Sequence, residues 1–448
     1  MEIRTIRTPG LGDATYVLSH GGRALVVDPQ RDVDRFLDGS AEVRYVLETH
    51  LHNDYVSGGR SLAARTGAEL VLPAGSGAAF RHTPAFHLED LGGGDLVVRP
   101  IHTPGHTPEH CSYLVLVEGE PVAVFSGGSL LVGSAGRPDL LGRARADSLA
   151  RLQYRSIHRL AALPDGVGLY PTHGEGSFCT ATGAGRATST IGEERRTNPV
   201  LAYADEESFV AGQLAGLQPY PDYYASMGPI NLMGPEPLPG RRPPELGPGD
   251  VEALPPRVAV VDARPRHRFA AGHIPGSLGV ELRDDFGTWV GWLVPFGTPL
   301  ALVLDGDGDL AEAVVQLARV GFDDVRGVLR GLDRWEEGGR RVQGFATTSL
   351  DGYLRAYDEG AQVLDVRSPG EWEAGHLEGS LHRYVPDLRA GLPVGLDPSR
   401  PVWVACGSGY RAAFAASLLE RQGVEPVVLI DGGVPDLLAR RATAAAGG

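Results

Sequence analysis

Apolar positions along this chain follow a short strand-like period in the first part and a helical one interleaved with strands in the second. Up to about residue 180, brief apolar runs end in Gly, Pro, Asn or Asp, the pattern of strands closed by turns. Thr15-Tyr16-Val17-Leu18, the turn Gly21-Gly22 and Ala24-Leu25-Val26-Val27-Asp28 predict a hairpin. Val43-Arg44-Tyr45-Val46-Leu47, Leu70-Val71-Leu72, Cys111 to Val117 and Val122-Ala123-Val124-Phe125 predict further strands, and Ser57 to Thr66 predicts a helix. This alternation suits an α/β chain, an αβ/βα sandwich with its chemistry at the strand ends. Residues 190–218 read as helical, and Pro219 to about Asp250, with Arg241-Arg242-Pro243-Pro244, reads as a Pro/Gly-rich linker.

An internal repeat follows the linker. Val260-Val261-Asp262-Ala263-Arg264 and Ala271-Gly272-His273-Ile274-Pro275-Gly276-Ser277-Leu278 recur 103 residues later as Val363-Leu364-Asp365-Val366-Arg367 and Ala374-Gly375-His376-Leu377-Glu378-Gly379-Ser380-Leu381. That offset fits two tandem α/β domains rather than a solenoid. Each copy continues with a strand, a short loop and an amphipathic helix, Ala301–Leu304 before 310–320 and Val402–Ala405 before 411–422. The expected organisation is one domain over 1–218, the linker over 219–250, and two repeats over 251–345 and 346–448.

Composition narrows the partners. The 448 residues carry 42% hydrophobic and 22% charged residues, as in globular chains, and a net charge of -15. Such an excess of acid speaks against nucleic acid and anionic membrane surfaces. All 41 basic residues are Arg, which excludes lysine Schiff-base chemistry and a G-K-[ST] phosphate loop. Cys111, Cys179 and Cys406 fit no disulfide framework and no zinc spacing, so a reducing cytoplasm is the expected location. There is no charged-then-apolar leader and no run of about 18 apolar residues, which predicts a chain that does not enter the membrane.

Candidate chemistry gathers at three loops. Thr49-His50-Leu51-His52-Asn53-Asp54-Tyr55 places two imidazoles and a carboxylate within five residues at a strand end. Metal binding and a solvated surface loop both fit such a run by itself. Thr103-Pro104-Gly105-His106-Thr107-Pro108 and Tyr170-Pro171-Thr172-His173-Gly174 each add a His in a rigid Gly/Pro turn. Cys179, six residues after His173, is either a small buried side chain or a thiol at the metal mouth. Arg137 and Asp139 either orient a substrate carboxylate or bridge loops. In the second repeat, Cys406-Gly407-Ser408-Gly409-Tyr410-Arg411 closes on a helix N-terminus, where inward backbone N–H groups and the helix dipole favour a thiolate.

Asp-x-Arg, Gly-His-x-x-Gly-Ser and Cys-(four residues)-Arg resemble the rhodanese sulfurtransferases. The resemblance implies Cys406 as persulfide carrier, with Arg411, Gly407, Ser408, Gly409 and Tyr410 shaping its pocket. Asp365 and Arg367 match a motif for which an ion pair and a catalytic role are both open, and His376 one that braces loops. The first repeat has Asp305-Gly306-Asp307-Gly308-Asp309 in place of the cysteine loop, so it is expected to carry no sulfur.

Thr-His-x-His-x-Asp, Pro-Gly-His-Thr and Thr-His-Gly resemble the metallo-β-lactamase fold, and Gly136-Arg137-Pro138-Asp139 together with the rhodanese repeats resembles its persulfide dioxygenases. That resemblance implies one Fe(II) bound by His50, His106 and a carboxylate at the end of the Val122–Gly127 strand. Gly128 stands there, and Tyr55 stands where two-metal members place another His. Three expectations follow: iron on His50 and His106 with a nearby group; zinc on His50, His52 and His106; or a metal-free scaffold. Asp54 and His173 alone remain for a second ion. The implied reaction oxidises a small thiol persulfide such as glutathione persulfide with O2 to sulfite and, through Cys406, to thiosulfate. The alternatives are a thioester hydrolase of the glyoxalase II type and a sulfurtransferase with an N-terminal binding module. Self-association as a homo-oligomer is compatible with the sequence.

Overall fold

The computed structural model describes residues 1–37, 41–180, 186–240 and 242–446, so Arg241 of the expected linker lies outside the described residues. Two compact units emerge, Met1–Pro239 with Val315–Gly321, and Gly240–Val314 with Phe322–Gly448.

The first unit is built on two six-stranded sheets. Glu2–Thr8, Asp13–His20 and Arg23–Val27 pair antiparallel, and Glu42–Leu47, Glu69–Pro73 and Thr83–Ala85 extend that sheet in parallel. The other sheet runs Ser189–Thr190, Gly168–Pro171, Glu120–Gly127, Cys111–Val117, Leu96–His102 and Leu91–Gly93. Tyr16, Leu18, Val27 and Leu47 of the first sheet meet Val98, Tyr113, Val115 and Phe125 of the second in one core. The outer face of the second sheet packs Leu114, Leu116 and Val124 with Ile157, Leu160 and Phe209 of the helices Arg143–Ala161 and Glu206–Ala215. Strand Cys111–Val117 is therefore buried on both faces, which is why it reads as an unbroken apolar run. Burying a side chain such as Phe125 stabilises the fold by about 1.5–3 kcal/mol.

The expected linker is partly structured. Tyr224–Met233 is a helix that buries Tyr224, Met227 and Asn231, at the i, i+3, i+7 spacing of one face. Pro229 lies inside this helix, and that breaker together with the surrounding Pro and Gly masked the period.

In the second unit, the parallel sheets run Leu278–Gly279, Ala259–Asp262, Leu300–Leu304, Val325–Arg330, and Leu381–His382, Gln362–Asp365, Val402–Ala405, Pro426–Leu429, Ala346–Thr348. The pairing Val261 with Leu278 returns as Leu364 with Leu381, so the sequence offset is a structural repeat. Helices Asp307–Arg319 and Tyr410–Glu420 follow the third strand of each copy.

Candidate metal centre and cysteine loop

Strand Glu42–Leu47 delivers Thr49 to Asp54 into the protein interior, where His50, His52 and Asp54 are all buried. Asp28, at the end of its own strand, anchors this loop. Its carboxylate accepts the Thr49 N–H at 2.7 Å and hydroxyl at 2.8 Å, and the Thr172 hydroxyl. Because the Thr49 hydroxyl donates to Asp28, the His50 Nδ1–H donates to Thr49 Oγ1 at 2.8 Å and Nε2 keeps its lone pair. His106 is fixed in the same way, its Nδ1–H donating to the Arg137 carbonyl at 2.9 Å. Its buried Nε2 has no partner among the described residues. The His173 Nδ1–H donates to Asp13 Oδ1 at 2.8 Å and lies 3.3 Å from Asp54 Oδ2, which leaves Nε2 facing His50 Nε2 at 3.4 Å.

His52 turns Nε2 toward Asp28 and Glu48, 3.2 Å from an oxygen of each. Its Nδ1, like Asp54 Oδ1, finds no hydrogen bond among the described residues. Buried polar atoms left without partners cost about 1–3 kcal/mol each, so this set of open donors is the mark of an ion-binding centre. Ligand atoms of His50, His106 and His173 lie within 4.8 Å of one another, as do those of His52, Asp54 and His173 and those of Asp28, Glu48 and His52. The set His50, His52, His106 expected for zinc is not among these groupings.

Electrostatics fits neutral imidazole donors at the core. Burial pushes His50 and His106 well below the ordinary histidine range, and His173 down as well. Burial would also lower His52, but Asp28 and Glu48 hold it well above that range. Asp13 and Asp54 are both pushed up to about 7, chiefly by burial.

Two residues in the histidine motifs are not donors. The Tyr55 hydroxyl donates to the Asp28 carbonyl at 3.2 Å, and its ring stacks on His52 at 4.3 Å. His110 accepts the Gly128 N–H on Nε2 at 2.9 Å and has Nδ1 on Thr103 Oγ1.

For Arg137 and Asp139, which the sequence leaves open between orienting a carboxylate and bridging loops, the described contacts are loop-bridging ones. Arg137 is 2% exposed, paired with Asp139 at 2.6 and 2.8 Å, and bonded to the Phe178 carbonyl at 3.0 Å beneath the Tyr220 ring. Three of its N–H groups bridge loops. Cys179 lies at the site, its thiol 3.4 Å from Asp54 Oδ2, fully buried and pushed well up by burial. Cys111 sits in the core between the sheets.

The cysteine loop stands at the end of strand Val402–Ala405. Cys406 Sγ accepts the Ser408 N–H at 3.5 Å, and Gly409, at φ 84, starts the helix Tyr410–Glu420. Arg411 makes two bonds to Glu371, at 2.6 and 2.7 Å, and holds that carboxyl, against its burial, down to about 2. Tyr410 does not offer its side chain to the pocket, since its hydroxyl bonds Asp285 Oδ1 at 3.0 Å and the Glu281 carbonyl at 3.1 Å. Arg367 pairs with Asp365 and donates to the Gly375 carbonyl, and Arg264 does the same with Asp262 and Gly272. A pair kept in a repeat without cysteine is structural. His376 stacks on Trp372 as His273 stacks on Phe269, the bracing role expected.

Sequence reasoning missed Asp13, Asp28, Glu48, Thr172, Asn231 and Glu371. Only Asp28 carried a signal, as the acid ending a buried strand before Pro29.

Both the two-sheet sandwich with its histidine edge and the paired α/β repeats match known families. Residues 7–173 match the metallo-β-lactamase superfamily, and 249–338 and 349–439 each match the rhodanese-like domain. The chain belongs to the metallo-β-lactamase superfamily and carries two rhodanese-like domains behind that fold. It is 30% identical to a "Probable metallo-hydrolase" of Burkholderia pseudomallei over 43% of this chain and 72% of that protein. Identity to the mitochondrial persulfide dioxygenase of Homo sapiens is 29%, over 43% of this chain and 73% of the relative. A hydroxyacylglutathione hydrolase of a Methylobacterium species is 31% identical over 35% of this chain and 68% of its own length. Among solved structures, a metallo-β-lactamase from Staphylococcus aureus superposes with a TM-score of 0.67 at 27% identity, covering 73% of this chain and 99% of that one.

Proposed function

We propose that this chain is a persulfide dioxygenase joined to a rhodanese sulfurtransferase. The observation that carries this reading is the loss of a second-metal ligand: Tyr55 stands where two-metal members place a further His and points its hydroxyl at a backbone carbonyl. One ion suits oxygen chemistry, whereas hydrolysis in this fold is best served by two. The similarity to persulfide dioxygenases and the sulfur-handling repeats on the same chain support it.

The overall change is RSSH + O2 + H2O to RSH + sulfite + 2H⁺. A ferrous ion supplies, when bound, the means to bring O2 and the persulfide sulfur together. The open nitrogens of His50, His106 and His173 are the donors that fit it, and zinc is the alternative ion. Burial of all three excludes bulk water. A cleft of about 230 Å³ is lined by Arg7, Asp13, Glu175 and Arg186, and with Arg186 paired to Glu193 it is Arg7 whose guanidinium suits a carboxylate of a small thiol such as glutathione.

At the second site the Cys406 thiolate attacks the outer sulfur of RSSH, the S–S bond breaks, and the thiol leaves with the proton. Sulfite then attacks the outer sulfur of the Cys406 persulfide, which releases thiosulfate and restores the thiolate. The three free cysteines suit a reducing cytoplasm. Among the described residues no helix is long and apolar enough to cross a membrane.

Thioester hydrolysis is the second reading, favoured by the hydroxyacylglutathione hydrolase similarity and by the grouping of His52, Asp54 and His173. The open donors argue against a metal-free module. The test is to load the full chain with Fe(II) or Zn(II) and follow O2 uptake with glutathione persulfide beside hydrolysis of a glutathione thioester. O2 uptake confined to the iron form supports the proposal; thioester hydrolysis without O2 uptake overturns it.

A further inference from the structure

We propose that the ion is held by three histidines, His50, His106 and His173, and that residue 128 is glycine because the His106 ring fills the space a side chain there would need. This rests on the site being an ion centre, whichever reaction it runs. A Cβ built on Gly128 would stand 2.2 Å from His106 Cδ2 and 2.7 Å from Cγ, far inside contact distance. The ring cannot drift away, because its Nδ1–H is held by the Arg137 carbonyl. A Cβ on Gly136 would meet the Gly128 carbonyl oxygen at 2.1 Å and His106 Nδ1 at 2.9 Å, so the ring is enclosed from that side as well. The position that the fold's carboxylate would occupy is thus taken by a ligand ring, not left vacant.

His173 supplies the third donor. Its Nδ1–H is committed to Asp13 and that of His50 to Thr49, so two Nε2 atoms meet at 3.4 Å with no hydrogen required between them. Two lone pairs at that distance repel unless a cation lies between them, and the unpartnered Nε2 of His106 faces the same place. Three neutral imidazoles leave a divalent ion its full charge, where a carboxylate would cancel half. Such a centre favours an anionic sulfur ligand over a neutral one.

The test uses bound metal and spectra rather than turnover, so it fails or succeeds independently of the dioxygenase reading. With Co(II) in the full chain, each Nε2-bound histidine contributes one exchangeable, paramagnetically shifted Nδ1–H resonance. Three are expected, with one lost and the ion bound at least roughly tenfold more weakly in His173→Gln. Gly128→Asp, which restores the fold's carboxylate, is expected to bind the ion more weakly than the parent chain, and Gly128→Ala to do likewise. A retained N-terminal transition in calorimetry shows that each variant is folded in the unit that carries the site. Unchanged resonances and affinity in His173→Gln, or tighter binding in Gly128→Asp, would overturn the proposal.

Discussion

Truncating Asn231 asks whether the helix Tyr224–Met233 holds the histidine loop in place. The Asn231 Nδ2 donates to the carbonyls of His52 at 2.8 Å and Tyr55 at 2.9 Å, and Oδ1 accepts the Ser57 N–H at 2.9 Å. At 2% exposure, water cannot take over these bonds without opening the packing. A net value of about 1 kcal/mol per bond puts the cost of Asn231→Ala at about 3 kcal/mol, and more where the backbone groups stay buried without partners. For a unit of this size that lowers Tm by about 6–12 °C. It also loosens the loop carrying His50, His52 and Asp54, so ion affinity falls roughly 10–100-fold, as for other groups supporting ligands. Calorimetry of the N-terminal transition and metal titration read the two effects. Asn231→Asp keeps the acceptor but sets a carboxylate against two carbonyl oxygens, so its loss is at least as large. A Tm within about 2 °C of the parent for both variants, with unchanged ion affinity, would refute the reasoning.

Other perturbations separate the two sites. Cys406→Ser abolishes thiosulfate:cyanide sulfur transfer while leaving metal content and O2 uptake unchanged, read by colorimetric thiocyanate and elemental analysis. Gly433→Ala puts a methyl 2.1 Å from the Gly407 carbonyl oxygen, so it distorts the cysteine loop, costs about 1–3 kcal/mol in the C-terminal transition and sharply lowers sulfur transfer. Glu371, held at about 2 against an ordinary 4.5, contributes stability that is complete above pH 4.5 and lost as pH falls toward 2. Glu371→Gln should flatten that acid limb in denaturant titrations. Tyr410→Phe removes the bond to Asp285 and costs about 1 kcal/mol, with Cys406 transfer reduced but present.

Much of the fold was legible because burial writes itself into local periods. Cys111–Val117 is apolar throughout since both its faces are covered, and Val260 and Val363 head a repeat that keeps its strand pairing. Helix Tyr224–Met233 was not legible, because Pro229 and Gly228 contradict helix propensity for tertiary reasons. A Cβ on Gly228 would come within 2.9 Å of Asn53 Oδ1, so this is where the helix meets the histidine loop closely. In the site, His50, His52, Asp54, His106 and His173 announced themselves by motif spacing. The groups that orient them did not, since Asp13 reaches His173 across 160 residues and Thr172 reaches Asp28 across 144. Arg137 stayed open between substrate binding and loop bridging because its burial and its pairing with Asp139 are properties of the folded loops, invisible in a Gly-Arg-Pro-Asp run.

The most direct test of a one-ion oxygen chemistry is the molar ratio of O2 consumed to glutathione persulfide supplied, measured on the Fe(II)-loaded full chain carrying Cys406→Ser so that sulfite is not drawn into thiosulfate. The account predicts one O2 per persulfide, with sulfite formed in equal amount and one iron per chain. Persulfide loss without O2 consumption, or no reaction at full iron occupancy, would contradict it.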